Sequence, residues 1–468
     1  MTPPKVSVIA LTRDRPKEFL ALLHALRQQR MRDFEVIVVG AEPKLEDHGP
    51  VGDFIDQVTY LQCVEENISL SRNIGIAYAR GDYIAFIDDD AAPEPDWLTE
   101  VIKPFERETV GAVGGFVRGR NGVDFQWRGA MIDRYGAHAP LTADDLRERD
   151  FTDPTGEFFL STVGVNSAFR RKALIEVGGF DENYHYFLDE SDLCIRLMDA
   201  GWSTVLAPEA EVHHAYAESR ERAANRAPRD LFQVAASRAY FGLTHGDPVW
   251  TQRRIDMFQS EQSGRLKKFI QLGRLSRKQA EWIEMRMIDG VREGNARFAR
   301  GPLRELSRQE EPHRRGPKPL AEFTLARRPR AALVATGVTR RAIYRLAETL
   351  ATFGCETTVL DFDLSARRLR VNFADGVWRH IGGIFGRDQF GARPSAPRRC
   401  VRVKRELERI SARRDLDIII RPKAKKYRIA DLPAVDLSAI VKGFVAEPLR
   451  PGSANHLVTM LTDAGVDT

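Results

Sequence analysis

The chain has 468 residues, 43% of them hydrophobic and 29% charged, which is ordinary for a globular protein of two or three domains. It has no apolar run of about 18 residues, which excludes a membrane-spanning helix, and no basic-then-apolar leader pattern at the N-terminus. The net charge of +5 hides a division, because residues 1–250 carry about −14 and residues 251–468 about +19. A basic half of this kind suits a polyanionic surface, with an ordinary solvated surface as the alternative. The four cysteines, Cys63, Cys194, Cys355 and Cys400, are far apart and form no metal-spaced pair. Reduced thiols in a cytoplasmic protein are the expectation.

Lys5 to Leu11 reads as a strand, and Pro16 opens a helix whose Phe19, Leu20, Leu22, Leu23 and Leu26 recur at helical spacing. Phe34 to Val39 is a second strand ending at Gly40. A helix follows around Asn73 to Ala79, then a strand from Tyr83. Strand, helix, strand with short links predicts a parallel sheet. Ligands in such sheets bind outside the carboxyl ends of the strands, here the loops after residues 11, 39 and 87. Pro93 to Phe105 reads as a helix and Val110 to Val117 as a strand. Residues 118–160 read as irregular and polar. Arg171 to Val177 is a short helix closed by Gly178-Gly179. The run Leu188-Asp189-Glu190-Ser191-Asp192 opens another helix, with Asp189 and Asp192 spaced as a variant capping box. Trp202 to Ala207 is a strand, and Val212-His213-His214 follows.

Residues 229–300 look helical and basic, and 301–319 reads as a linker. A second α/β segment starts at Arg330, with strands at 331–336, 357–362 and 416–420 and an amphipathic helix at 340–353. Its first loop holds only Gly337 and no G-x-G-x-x-G. The expected division is therefore a catalytic domain at 1–228, a basic helical region and linker at 229–327, and an accessory α/β domain at 328–468.

The stretch with most chemical content is Tyr83 to Asp90, Y-I-A-F-I-D-D-D. A buried strand that ends in three adjacent carboxylates concentrates negative charge. A divalent cation relieves that repulsion, and hard oxygen ligands suit Mg²⁺ or Mn²⁺. Strand alternation puts Asp88 and Asp90 on one side and Asp89 on the other.

Residues 5 to about 220 resemble the family 2 glycosyltransferases, inverting enzymes of the GT-A fold. The resemblance rests on V-S-V-I-A-L-T-R-D-R-P, S-R-N-I-G-I-A-Y-A-R-G-D-Y-I-A-F-I-D-D-D, P-D-W-L, G-G-F-D and D-E-S-D-L, in that order. It implies a mixed, mainly parallel sheet with helices on both faces. It also implies transfer of a hexose or deoxyhexose from a nucleoside-diphosphate sugar to a glycan or lipid-linked acceptor, assisted by Mn²⁺ or Mg²⁺. Asp90 would be a direct metal ligand, with Asp88 reaching the ion or the nucleotide. His214, which matches H-x4-S through Ser219, would be a further ligand, with His213 as its rival. Thr12, Arg13, Arg15, Glu42, Arg72, Asp88 and Asp89 would meet the nucleotide. Glu190, with Asp189 second, would be the base that takes the acceptor's proton. Arg72 could equally be a solvated arginine at a helix start, and Trp97 a core residue rather than part of a sugar site. Lipid-linked acceptors imply attachment to the cytoplasmic face of an anionic membrane through the basic half. Nucleic acid is not an expected partner, since no known RNA module appears. A nucleotidyltransferase, or a non-catalytic polyanion-binding protein, is the alternative reading.

Overall fold

The computed structural model describes residues 4–40, 54, 57–141, 157–215, 220–223, 225–304, 306, 330–335, 340–352, 354–386, 399–414, 416, 418–421 and 434–436. Glu42, Ser219, Gly337, Arg398, the stretch 423–428 and most of the expected linker lie outside the described residues.

Alternation of apolar side chains builds the N-terminal sheet. In β1 (Val6–Thr12), Val6, Val8 and Ala10 face one core with Phe19, Leu22, Leu23 and Leu26 of the helix Pro16–Arg27. Ile9 faces the opposite core with Ile76 of the helix Ile68–Tyr78 and with Phe180, Leu193 and Leu197. Both faces of the sheet are therefore covered by helices, as a largely parallel sheet requires. β2 (Phe34–Gly40), β3 (Val58–Gln62) and β4 (Tyr83–Asp88) run parallel with β1 in the order β3-β2-β1-β4. Two further neighbours, β11 (Asn166–Arg170) and then β6 (Val110–Arg118), extend the sheet beyond β4 through antiparallel pairings. β12 (Ser203–His214) runs parallel to β6, and β5 (Ala91–Pro93) pairs antiparallel with the end of β12. The register sets Thr12 opposite Gly40 and Leu11 opposite Asp88, so β1, β2 and β4 end along one edge.

The region 118–160 differs from its irregular reading. It contributes β7 (Phe125–Trp127), which pairs with β6, and a small sheet of β8 (Ala130–Asp133), β9 (His138–Pro140) and β10 (Phe158–Ser161). Strands of three or four residues carry too few alternations to stand out as a period. The helix expected around Asn73 starts earlier, at Ile68, because the Asn67 side chain caps it by accepting from the Leu70 amide at 3.1 Å. The strand seen in two pieces around 202–214 is one continuous β12, with a register shift between Ala207 and Glu211.

Three helices follow, Phe232–His245, Pro248–Gln271 and Arg277–Arg300. The first and third approach closely through glycines. A Cβ at Gly290 would stand 2.2 Å from the Phe232 carbonyl oxygen, and one at Gly294 would stand 2.4 Å from that of Ala236.

The C-terminal sheet has the order β15-β16-β14-β13-β17-β18, from β13 (Arg330–Ala335), β14 (Glu356–Asp363), β15 (Arg370–Ala374), β16 (Val377–Gly383), β17 (Ile418–Arg421) and β18 (Ala434–Asp436). The helix Arg340–Thr352 covers one face. The other face carries the helix Arg399–Arg414, and its apolar core also takes in Ala25, Ala92 and Val123 of the N-terminal domain. The two sheets are thus joined by a shared core. Around it, Gln28 Nε2 donates to the Gly376 carbonyl at 2.6 Å and the Val371 amide to the Asn121 carbonyl at 2.8 Å.

Candidate active site

The edge where β1, β2 and β4 end opens into a cleft of about 770 Å³ lined by the end of β2 and by the residues that follow β1 and β4. The acid triplet divides there as strand alternation requires. Asp89 turns toward the β1 loop, accepting from the Thr12 hydroxyl at 2.9 Å and from Arg15 Nη1 at 3.1 Å. Its burial pushes the carboxyl up to about 7, against the pull of Arg15. Arg15 also stands 3.8 Å from Asp90. Arg13 reaches across the edge and donates to the Cys63, Val64 and Glu65 carbonyls at 3.0–3.2 Å, tying the β1 loop to the segment after β3.

Asp88, Asp90 and His214 offer ligand atoms that all lie within 4.8 Å of one another. Asp90 follows β4, and His214 ends β12. The short β5 ladder joins them, because His214 pairs with Ala91 and the Ala215 amide donates to the Asp90 carbonyl at 2.9 Å. Burial raises the Asp88 carboxyl, and nearby Asp90 pushes the same way. His214 Nδ1 lies 3.0 Å from Gln126 Oε1, and its Nε2 lies 3.0 Å from Asp90. Donation from Nδ1 to Gln126 leaves the Nε2 lone pair facing a carboxylate oxygen. In that tautomer Nε2 is turned toward Asp90, the orientation that a metal-ligating imidazole takes when its other nitrogen donates. Two carboxylates and one oriented imidazole are a donor set that fits Mn²⁺ or Mg²⁺. His213 points elsewhere: its Nε2 is 2.8 Å from Glu94, outside this group.

The opposing acids are organised by Arg72. This side chain is 2% exposed and lies over the adjoining rings of Phe86 and Phe180, at 5.6 and 5.1 Å. It pairs with Asp189 through Nη1 and donates to Glu190 from Nη2 at 3.2 Å. The solvated-arginine reading is therefore corrected, since residues 117 and 118 positions away supply its charge partners. The capping reading of Asp189 and Asp192 is corrected too. Leu188, with φ 65°, is the N-cap of the helix Asp189–Asp199 and makes no side-chain cap bond. Asp189 binds Arg72 instead. Asp192 is fully buried between Arg196 at 2.6 Å and His245 at 2.9 Å, which hold its carboxyl well below the usual range despite burial. A guanidinium brings a full positive charge along with its hydrogen bonds, which a backbone amide does not. Glu190 is the most open of the three acids, with 16% of its side chain exposed against 2% and 0%. Trp97 is fully buried, and its indole N–H donates to Asn166 at 2.8 Å, so it belongs to the core.

Gln126 and His138 are cleft residues that sequence reading does not single out. Both sit in the 118–160 region, where no motif marks them. His138 stacks on Phe187 at 5.9 Å, and burial lowers its imidazole to about 4.

Comparison with known proteins follows this geometry. The family described as Glycosyl transferase family 2 matches residues 7–178. The chain is 28% identical over 242 residues to the glucosyl-dolichyl phosphate glucuronosyltransferase of Haloferax volcanii, covering 46% of this chain and 71% of that protein. It is 28% identical over 261 residues to the O-antigen biosynthesis protein RfbC of Myxococcus xanthus, covering 53% of this chain but 20% of that one. It also aligns with the solved mannosyltransferase PcManGT from Pyrobaculum calidifontis in complex with GDP-Man and Mn²⁺, at 17% identity and a TM-score of 0.38. That alignment covers 63% of this chain and 87% of that one. The N-terminal sheet is the GT-A-like mixed α/β fold that the motifs imply, with a further α/β sheet after it. The match to glycosyl transferase family 2 thus covers residues 7–178, the part of the chain that carries the acid triplet.

Proposed function

We propose that this protein transfers a hexose or deoxyhexose from a nucleoside-diphosphate donor to a glycan or lipid-linked acceptor with inversion, using Mn²⁺ or Mg²⁺. The observation that carries the reading is one cleft lined both by the Asp88, Asp90 and His214 group and by the Asp189 and Glu190 pair. Asp88, Asp90 and His214 would hold the cation, which when bound neutralises charge on a departing diphosphate. Thr12, Arg13, Arg15 and Asp89 order the loop that would receive the nucleotide; Glu42, which lies outside the described residues, follows β2 in the sequence and would be a further nucleotide contact. Glu190 would take the proton of the acceptor hydroxyl, with Asp189 as the second candidate. Arg72, first read as a nucleotide contact, is committed to these two acids, and we assign it the task of aiming them.

Two of the relatives fit this acceptor class. One acts on glucosyl-dolichyl phosphate and another serves O-antigen biosynthesis. Residues 1–228 would be the catalytic domain, 229–327 a basic helical region and linker, and 328–468 an accessory domain. No helix among the described residues is long and apolar enough to cross a membrane. Peripheral attachment of the basic half to the inner face of an anionic membrane suits a lipid-linked acceptor.

The test is a panel of nucleotide sugars with and without Mn²⁺, read by release of nucleoside diphosphate and by the anomeric configuration of the product. Asp90→Asn should abolish metal-dependent turnover while leaving the melting temperature near that of the parent. Full activity in EDTA, a fully active Asp90→Asn, or a retained anomeric configuration would refute the corresponding part. Pyrophosphate release from a nucleoside triphosphate and a sugar phosphate would favour a nucleotidyltransferase instead.

A further inference from the structure

The C-terminal domain reaches the ladder that holds two of the three candidate metal ligands. β5 spans only Ala91–Pro93, with Asp90 immediately before it and Glu94 immediately after. It pairs with β12 from Val212 to His214, so Asp90 and His214 leave one end of the ladder and Glu94 leaves the other. The Glu94 amide donates to the Glu211 carbonyl at 3.0 Å, which closes that second end. Three paired residues are a short lever, and what fixes one end fixes the other.

Glu94 is held from both sides. One carboxylate oxygen is 2.8 Å from His213 Nε2. The other accepts twice from Arg414, from Nε at 3.1 Å and Nη2 at 2.8 Å. The Arg414 Nη1 donates to the Thr358 hydroxyl at 3.1 Å, and its guanidinium lies 4.2 Å from the centre of the Trp378 ring. That ring in turn lies 4.8 Å from the His213 ring. His213, Glu94, Arg414 and Trp378 therefore form a closed circuit, two members from each domain. Their side chains are buried, at 8%, 3% and 4% exposure for the first three, and Trp378 is fully covered. Two guanidinium N–H groups hold one carboxylate oxygen and His213 holds the other, and together they fix both position and orientation of the carboxylate.

We propose that Arg414 and Trp378 are positioning residues for the metal site, acting through Glu94 and His213 on the β5–β12 ladder. The C-terminal domain would then be part of the cation site's outer support and not a separable attachment. The inference rests on the reading of Asp88, Asp90 and His214 as cation ligands. Outer partners of metal ligands commonly change metal affinity by about 10–100-fold when removed, because the ligands lose their fixed aim.

The test is direct Mn²⁺ binding to the full chain, followed by loss of the free-ion signal in electron paramagnetic resonance, with a melting curve for each sample. Arg414→Met should weaken Mn²⁺ binding by about 10–100-fold in protein that is still folded. Arg414→Lys should recover part of the loss. Trp378→Phe and the pair Glu94→Gln with Arg414→Met serve if the single variant does not fold, since the pair removes both ends of the Glu94–Arg414 ion pair. Both should also weaken Mn²⁺ binding. Arg368→Ala removes an exposed contact between the same domains, to Asp124 at 2.8 Å, and should leave the affinity unchanged. Folded variants with parental Mn²⁺ affinity, or an equal loss in Arg368→Ala, would overturn the inference while the metal reading stands. A parent chain that binds no Mn²⁺ would overturn both.

Discussion

Arg72→Met is the sharpest test of how the acid pair is held. The guanidinium is nearly inaccessible, and it faces one carboxylate that is 2% exposed and a second that is 16% exposed. Methionine keeps much of the stem's contact with Phe86 and Phe180 but removes the charge. Asp189 is then left buried beside Glu190 with no counter-ion. Removing one partner of a buried pair typically destabilises by about 3–5 kcal/mol. For a domain of this size that corresponds to a fall in melting temperature of roughly 6–20 °C. Scanning calorimetry on the full chain gives the number directly. Adding Asp189→Asn to Arg72→Met should recover part of the loss, because the unmatched charge is gone. Arg72→Lys should fall between parent and methionine, since an ammonium cannot form the fork that reaches both acids. A fall below about 2 °C for Arg72→Met would refute the reasoning, as would a double variant no better than the single.

Glu190→Gln should reduce transfer by about 10²-fold or more while donor binding stays near normal. If Asp189→Asn is inactive and Glu190→Gln active, the two acids exchange roles, and if both are active neither is the base. Glu356 gives a pH prediction. It is buried, its Oε1 has no hydrogen-bond partner among the described residues, and burial pushes its carboxyl up to about 7, against the pull of Arg414 and Arg30. The folded state then keeps a proton that the unfolded state loses above its ordinary 4.5, so stability falls as pH rises from about 4.5 to about 7. Glu356→Gln should therefore gain stability against the parent between pH 5 and pH 8, by on the order of 3 kcal/mol, and a difference that is flat with pH would defeat this. For membrane attachment, Lys267, Lys268 and Lys278 are exposed around the turn between the last two helices of the central region, beside exposed Leu272 and Trp282. Reversing all three to Glu should cut binding to anionic liposomes at low salt by at least about 100-fold, since each cation near the surface contributes about 1 kcal/mol. Equal recovery of parent and variant, or equal binding to neutral liposomes, would count against it.

The strands of the N-terminal sheet are legible because burial on both faces leaves long apolar runs, as in Val36 to Val39 and Ile84 to Ile87. The acid triplet is legible because carboxylates directly after such a run have no apolar reason to be there. Local spacing misleads where a distant residue competes for the same group. Asp189 has the position of a helix cap, yet Arg72 takes it, and no window of sequence contains both. Arg72 itself has nothing nearby to suggest burial, since its cover comes from Phe86 and Phe180. Gln126 lies in a strand of three residues, too short to show a period, and only folding brings it to His214. The shared core between the two sheets leaves no trace in either sequence segment, because Ala25, Ala92 and Val123 are unremarkable residues.

The bond between Arg414 and Glu94 has a consequence for synthesis. The two residues are 320 positions apart in the chain. At about 5–20 residues per second, a ribosome needs roughly 16–64 s to pass from one to the other. During that interval the first sheet can form, since β4, β5 and β12 all precede residue 215. Glu94 must meanwhile keep its charge in water, on a surface later covered by Trp378 and the helix Arg399–Arg414. A nascent chain in this state would expose apolar Ala25, Ala92 and Val123 as well, and it would do so for as long as translation is stalled short of that helix. Codon usage or ribosome pausing between positions 215 and 414 would thus set how long an incomplete N-terminal domain is visible to chaperones and proteases.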